Sequence, residues 1–267
     1  MSLTRGLSFP EYQALPGVNF STLKHMASSP LHYKHALDAP NVATDAMEFG
    51  SAVHCAVLEP DEFPIRYALW DGGTRRGKDW DAFVDANAGR TVLRECDYLR
   101  ALAVRDAIRS HPAASDLLRG DSEVTATWTD PETDIECKAR LDHINEDCAI
   151  DVKTTTSVDP FEFARTVGRM HYHAQLAHYA NGAELPRNPH IIAVESQEPF
   201  DVVVYRLPDD ALSAGRALVS EWLHRVASCR ESGRWPGRSA AVQDLILPPW
   251  MLQDDDTGLG FTIGEGK

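Results

Sequence analysis

The amino-acid sequence predicts an α/β or α+β fold in which a mostly helical first half, residues 1–119, covers a sheet-containing core, residues 120–267. Three observations predict it. Helical periodicity and capping signals dominate up to Gly120. Alternating, β-branched segments separated by turn residues follow. A helical stretch opening at Asp159-Pro160 then divides that meander from two further strands and a last long helix. The chain has 267 residues, 43% hydrophobic and 25% charged, enough to bury one substantial core, and it reads as a single domain without internal repeats.

Taken in order, Asn19-Phe20-Ser21-Thr22-Leu23-Lys24 opens a short helix with Ser21 as its candidate cap, and Ser29-Pro30 opens another. A third helix runs from about Thr44 to Glu59 and stops at Pro60. Residues 71–78, DGGTRRGK, read as an exposed basic loop, and helical patterns resume at 79–88 and 97–110. Residues 122–129, 135–144 and 149–154 read as a three-stranded meander, joined by Asp-Pro-Glu-Thr and Asn-Glu-Asp turns. Strands at 190–195 and 202–206 and a helix at 208–231 complete the chain.

Composition excludes several classes. No run of eighteen apolar residues exists, and the opening MSLTRGLSFPEYQ lacks the apolar block of a secretion signal, so the expectation is a cytoplasmic protein without a membrane partner. Cys55, Cys96, Cys137, Cys148 and Cys229 stand singly, with no grouping suited to an iron-sulfur cluster. The formal charge of −14 excludes a general nucleic-acid coat. It leaves room for local basic paths, of which Arg75-Arg76-Gly77-Lys78, the series Arg100, Arg105 and Arg109, and the pair Arg165 and Arg169 are candidates.

The segment most suggestive of chemistry is the last hairpin of the meander. With its turn centred between Glu146 and Asp147, residues whose numbers sum to 293 face each other, which sets Asp142 opposite Asp151. Opposed Cβ atoms lie about 5 Å apart, where two carboxylates repel unless a cation separates them. Lys153 follows Asp151 by two and shares its face. Extending the pairing across the Asp130–Thr133 turn sets Glu123 opposite Arg140 on that same face, adding a fourth candidate. Asp-x-Lys alone is commonly a surface ion pair, but in AIDVKTT the apolar neighbours predict partial burial, which is costly for charges without a function.

In order along the chain, FGSAVH (49–54), CKARLD (137–142), IDVKTT (150–155) and YHAQLAHY (172–179) resemble the motifs of exonuclease VIII-type and RecB-like PD-(D/E)xK nucleases. The opening NFSTLKHMASSPLHY and the tail GRWPG with PPW (248–250) are similar to phage and prophage proteins of that group. The resemblance implies a restriction-endonuclease-like core with a mixed central sheet. It also implies metal-ligand roles for His54, Asp142, Asp151 and the Val152 carbonyl, with Lys153 as the catalytic lysine and Gln175 and Tyr179 beside the active site. Gly50, one turn before His54, would admit a close backbone approach. His171 and His178 share a helical face with Gln175 and are read as a polar or DNA-facing surface, with His171 and Arg140 among the groups that orient DNA.

The function expected is Mg²⁺-dependent hydrolysis of DNA, with Mn²⁺ able to substitute. The resemblance implies 5′-to-3′ digestion of duplex ends in phage-type recombination, a single-strand annealing protein as partner, and a homo-oligomer. Two alternatives remain at this level: a DNA-binding recombination scaffold that no longer cuts, and an endonuclease using the same site.

Overall fold

In the computed structural model, residues 1–39, 44–182, 188–248 and 251 are described. Pro249 and Trp250 of the PPW motif lie outside them. The strands are β1 (Ser2–Thr4), β2 (Tyr67–Trp70), β3 (Thr91–Arg94), β4 (Asp121–Thr129), β5 (Glu136–Ile144), β6 (Ala149–Thr155), β7 (His190–Glu195) and β8 (Val202–Arg206). The helices are α1 (Phe9–Ala14), α2 (Phe20–Leu23), α3 (Pro30–Asp38), α4 (Asp45–Leu58), α5 (Phe63–Arg66), α6 (Lys78–Ala86), α7 (Glu95–Ser110), α8 (Pro112–Leu117), α9 (Pro160–Met170), α10 (Tyr172–Gly182) and α11 (Asp209–Ser232), with a 3₁₀ turn at Lys24–Ala27.

Six strands form a mixed sheet in the order β1-β4-β5-β6-β7-β8, antiparallel except for β6 beside β7, and β2 with β3 forms a separate parallel pair. The parallel step requires a crossover, which α9 and α10 supply. Alternation along the strands then sorts residues between two helical layers. Ile150, Val152, Ile192 and Val194 pack with α4 and α7. Ile191 and Ala193 pack with α9 and α10, while Val124, Ala126 and Trp128 pack with α10 and α11.

Both strands after the crossover have the bounds expected from sequence. Other expectations shift for local reasons. Asn19, not Ser21, caps α2: its Oδ1 accepts from the Thr22 amide at 2.8 Å and from the Ser21 hydroxyl at 2.9 Å. The β4–β5 loop spans Asp130 to Ile135 rather than closing at Thr133, because the Asp130 amide donates to the Ile135 carbonyl and Asp134 takes a left-handed conformation. The register therefore moves by two residues, setting Thr125 opposite Arg140 and preserving the face of every side chain. The short strands β1, β2 and β3, of three or four residues, carry too little alternation to read in advance.

The reading of His178 as a polar or DNA-facing surface residue is overturned. It is 5% exposed, with its ring 4.9 Å from Trp128 and 6.4 Å from Phe20. Burial lowers its pKa from 6.5 to about 4, so the imidazole is neutral in the fold. The unfolded chain takes up this proton below pH 6.5 and the folded chain only near 4, so stability is lost as pH falls through that window. At about 1.4 kcal/mol per pH unit the loss is ~3 kcal/mol. Replacing His178→Phe should remove it: between pH 7 and pH 4.5 the urea midpoint of the parent should fall further than that of the variant, and parallel declines would contradict the assignment.

Candidate active site

The site forms where the sheet opens. Strands β5 and β6 pair at His143–Ile150 and Ile144–Ala149, both summing to 293 as the hairpin count requires. One step further, the Val152 amide donates not to a backbone carbonyl but to Asp142 Oδ2 at 2.8 Å. The carboxylate thus satisfies a fully buried donor and keeps the two strands apart at the position of Asp151.

A second irregularity lies on the other flank. Glu123 adopts φ 55° between the pairs Ser122–His143 and Val124–Leu141, which places it across from Asp142. A left-handed non-glycine residue costs on the order of 1–3 kcal/mol and is retained where surroundings enforce it. Here Glu123 accepts a hydrogen bond from the Arg140 guanidinium, which also donates to the Leu7 carbonyl at 2.7 Å. Burial and the nearby Asp142 charge raise the Glu123 pKa.

From α4, His54 places Nε2 2.8 Å from the Val152 carbonyl oxygen and Nδ1 3.5 Å from Asp142 Oδ2. Gly50, one turn earlier, faces β6, but an added Cβ would stand 4.0 Å from Thr154 Oγ1, an ordinary contact. The close approach expected there is not what the glycine serves. Asp151 is 3% exposed, with Oδ2 2.7 Å from Lys153 Nζ and Oδ1 accepting from Gln175 Nε2 at 3.3 Å. Burial raises its pKa to about 6; Lys153 opposes that and Asp142 reinforces it. For Lys153, burial acts against the charge, but Asp151 and Asp142 outweigh it and raise the pKa. Its ammonium lies 5.0 Å from the centre of the Tyr172 ring, and its side chain remains 16% exposed. Gln175 Nε2 also donates to the Tyr179 hydroxyl at 3.4 Å, so one turn of α10 braces Asp151 from behind.

His54, Glu123, Arg140, Asp142, Asp151, Val152, Lys153, Gln175 and Tyr179 are therefore brought together. His171 ends α9 at φ 59°, with its ring 5.3 Å from Trp222 and within electrostatic range of Lys24. Two neighbours escaped the sequence reading. Lys24, from the 3₁₀ turn, is half-buried, and burial together with the Lys153 charge lowers its pKa. Tyr172 supplies the aromatic face beside Lys153. Each lies within a segment quoted above for its resemblance, but its place beside Lys153 is set by tertiary packing.

The donor set of one imidazole, two carboxylates and a carbonyl suits a hard divalent ion. Asp151 is nevertheless turned toward Lys153 and Gln175, and among the described residues no three His, Cys, Asp or Glu side chains converge closely enough to hold an ion. All five cysteines are free, and Cys96 alone of them is exposed. No described helix is long and apolar enough to cross a membrane.

Over residues 19–247 the sequence matches the family described as a PDDEXK-like domain of unknown function (DUF3799). The chain belongs to this PDDEXK-like family. Its fold is shared with the crystal structure of a "Putative exonuclease" from Eubacterium rectale, which it matches at TM-score 0.61 and 15% identity over 94% of this chain and 100% of that one. A second solved structure, that of SSO0001, overlaps 49% of this chain and 58% of its own at TM-score 0.30 and 17% identity, too little to bear on the fold. No curated protein matches in sequence. PD-(D/E)xK nucleases generally use divalent metal ions.

The structural duty of Asp142 in this PDDEXK-like chain is separable from any chemical one. In EDTA, Asp142→Ala should cost about 1–3 kcal/mol by orphaning the Val152 amide, whereas Asp142→Asn, which keeps an acceptor, should cost less than about 1 kcal/mol. Urea denaturation checks this, and equal losses would show that the hydrogen bond is not what holds the opened ladder.

Proposed function

We propose that this PDDEXK-like protein is a divalent-metal-dependent DNA nuclease. The observation that carries the reading is the buried Asp151–Lys153 pair, at 2.7 Å, beside an opened strand ladder with the Asp142 carboxylate and the His54 imidazole at its rim. Burying this many charges is expensive and serves packing poorly, so the arrangement points to chemistry.

His54, Asp142, Asp151 and the Val152 carbonyl would hold the ion, with Mg²⁺ the preferred species and Mn²⁺ a substitute. When bound, it supplies Lewis acidity toward a phosphate oxygen and a water. Lys153, charged and partly accessible, orients the attacking water and offsets charge developing on the phosphate. Gln175 fixes the Asp151 carboxylate, Tyr179 fixes Gln175, and the Glu123–Arg140 pair fixes the flank of Asp142. Lys24 adds a second cation within electrostatic range of Lys153.

The finer reading is 5′-to-3′ digestion of duplex ends in the cytoplasm, within phage-type recombination, beside an annealing protein and as a homo-oligomer. It is supported by the ordered resemblance to the exonuclease VIII group, and the designation of the Eubacterium rectale protein agrees with the exonuclease part of it. One observation favours the rival, a scaffold that binds without cutting: Asp151 is already neutralised by Lys153.

Two measurements separate these readings. Lys153→Ala should digest linear duplex DNA in Mg²⁺ more than about a hundredfold more slowly than the parent; equal rates would sink the nuclease assignment. Mn²⁺ should raise the melting temperature of the parent and of Lys153→Ala, with a smaller effect as pH falls, because burial raises the Asp151 pKa and protons compete with the ion. Asp142→Asn and Asp151→Asn should lose the shift, and a parent that shows none would favour the scaffold.

A further inference from the structure

Beyond Lys153 the strand leads into a polar groove to which none of the roles above is assigned. Asp151, Lys153 and Thr155 lie on one face of β6, and two residues of strand advance about 6.6 Å, roughly the scale of one nucleotide of backbone. Thr155 opens a cleft of about 530 Å³ whose other walls are Thr156, Ser157, Glu162, Arg165, Thr166 and Arg169. Two arginines one turn apart on α9 thus face a floor of hydroxyls.

The groove begins at Thr155, two residues along β6 from Lys153. Arg169 lies within electrostatic range of Tyr172, whose ring lies 5.0 Å from the Lys153 ammonium. Lys24 lies within electrostatic range of Lys153, Lys153 and Arg169 both act on Tyr172, and Arg165 shares the cleft with Arg169, in a chain whose formal charge is −14. Lys153 is paired with Asp151 at 2.7 Å, but the two arginines of the groove have few counter-charges. Arg165 has one exposed carboxylate neighbour, Glu162, at 3.8 Å, and Arg169 has no ion-pair partner among the described residues. An exposed pair at that distance contributes little and yields readily to a phosphate, which arginine can grip through two parallel hydrogen bonds.

We propose that this groove binds the backbone phosphates of the DNA strand flanking the scissile phosphate, with Arg165 and Arg169 as the phosphate ligands and Thr156 and Ser157 as hydroxyl partners, the Thr155 hydroxyl being committed to the Ser157 carbonyl at 3.0 Å. The assignment of a strand to it rests on the nuclease reading; the affinity for backbone phosphate does not. Arginines and hydroxyls that meet only phosphate and sugar carry no sequence information, so the subsite grips any strand alike.

The test is the salt dependence of binding by the full chain. Fluorescein-labelled single-stranded DNA and a blunt duplex of the same sequence are titrated with Ca²⁺ in place of Mg²⁺, for the parent, R165A/R169A, R165K/R169K and the distant control Arg119→Ala. Loss of two phosphate contacts should raise Kd at least about tenfold at low salt. It should also flatten the slope of log K against log salt by about 1.4 for the single strand or 1.8 for the duplex. The lysine pair should restore most of the slope, and Arg119→Ala should match the parent. Whichever DNA loses affinity on removal of the arginines identifies the form of strand held. If R165A/R169A binds both DNAs with the parent's Kd and slope while the parent still cuts, the groove assignment fails and the nuclease reading survives. If the parent cuts nothing but the arginines still set the slope, the groove stands and the nuclease reading fails.

Discussion

The hydrogen bond from the Val152 amide to the Asp142 carboxylate is the interaction on which the site depends. A buried amide must find an acceptor, and had it found one in the backbone of β5, the ladder would have closed over the position of Asp151. By substituting a side-chain oxygen, the fold holds the strands apart without leaving the donor unsatisfied. His54 then reaches the Val152 carbonyl and the rim of Asp142 from the neighbouring helix. On the opposite side of β5 a left-handed residue, Glu123, interrupts the ladder with β4 and takes a hydrogen bond from the Arg140 guanidinium.

Strand alternation does the rest of the positioning. Because β6 is flanked on both faces by helices, Val152 is committed to the α4 side while Asp151 and Lys153 are committed to the α10 side. Slipping the register by one residue would bury Val152 against Gln175 and drive two charges into the apolar cluster with Ile150 and Ile192, which makes that slip prohibitive. The apolar residues of β6 and β7 therefore fix the site as firmly as its polar ones.

The net charge of −14 and the proposed DNA substrate are reconciled by local geometry. Lys24 lies within electrostatic range of Lys153, and Arg165 and Arg169 share the cleft that begins two residues further along β6. At physiological salt, fields decay over about 8 Å, so a phosphate in this groove meets the local cations rather than the average of the chain.

The sequence by itself determined the parts whose physics is local. The Asp142–Asp151 register follows from one turn and a two-residue repeat, and the bounds of β7 and β8 follow from β-branched runs. The proximity of His54, Gln175 and Tyr179 was legible through ordered motifs rather than through spacing. What only the tertiary structure decided involves groups whose neighbours are distant in the chain. His178 has the pattern of a surface residue, yet Trp128 and Phe20 close over it. Lys24 reads as the end of a helical turn, yet it arrives beside Lys153. The two-residue shift of the β4–β5 register hung on whether Asp134 would adopt a left-handed conformation, a choice that neighbouring backbone hydrogen bonds settle and residue type alone does not.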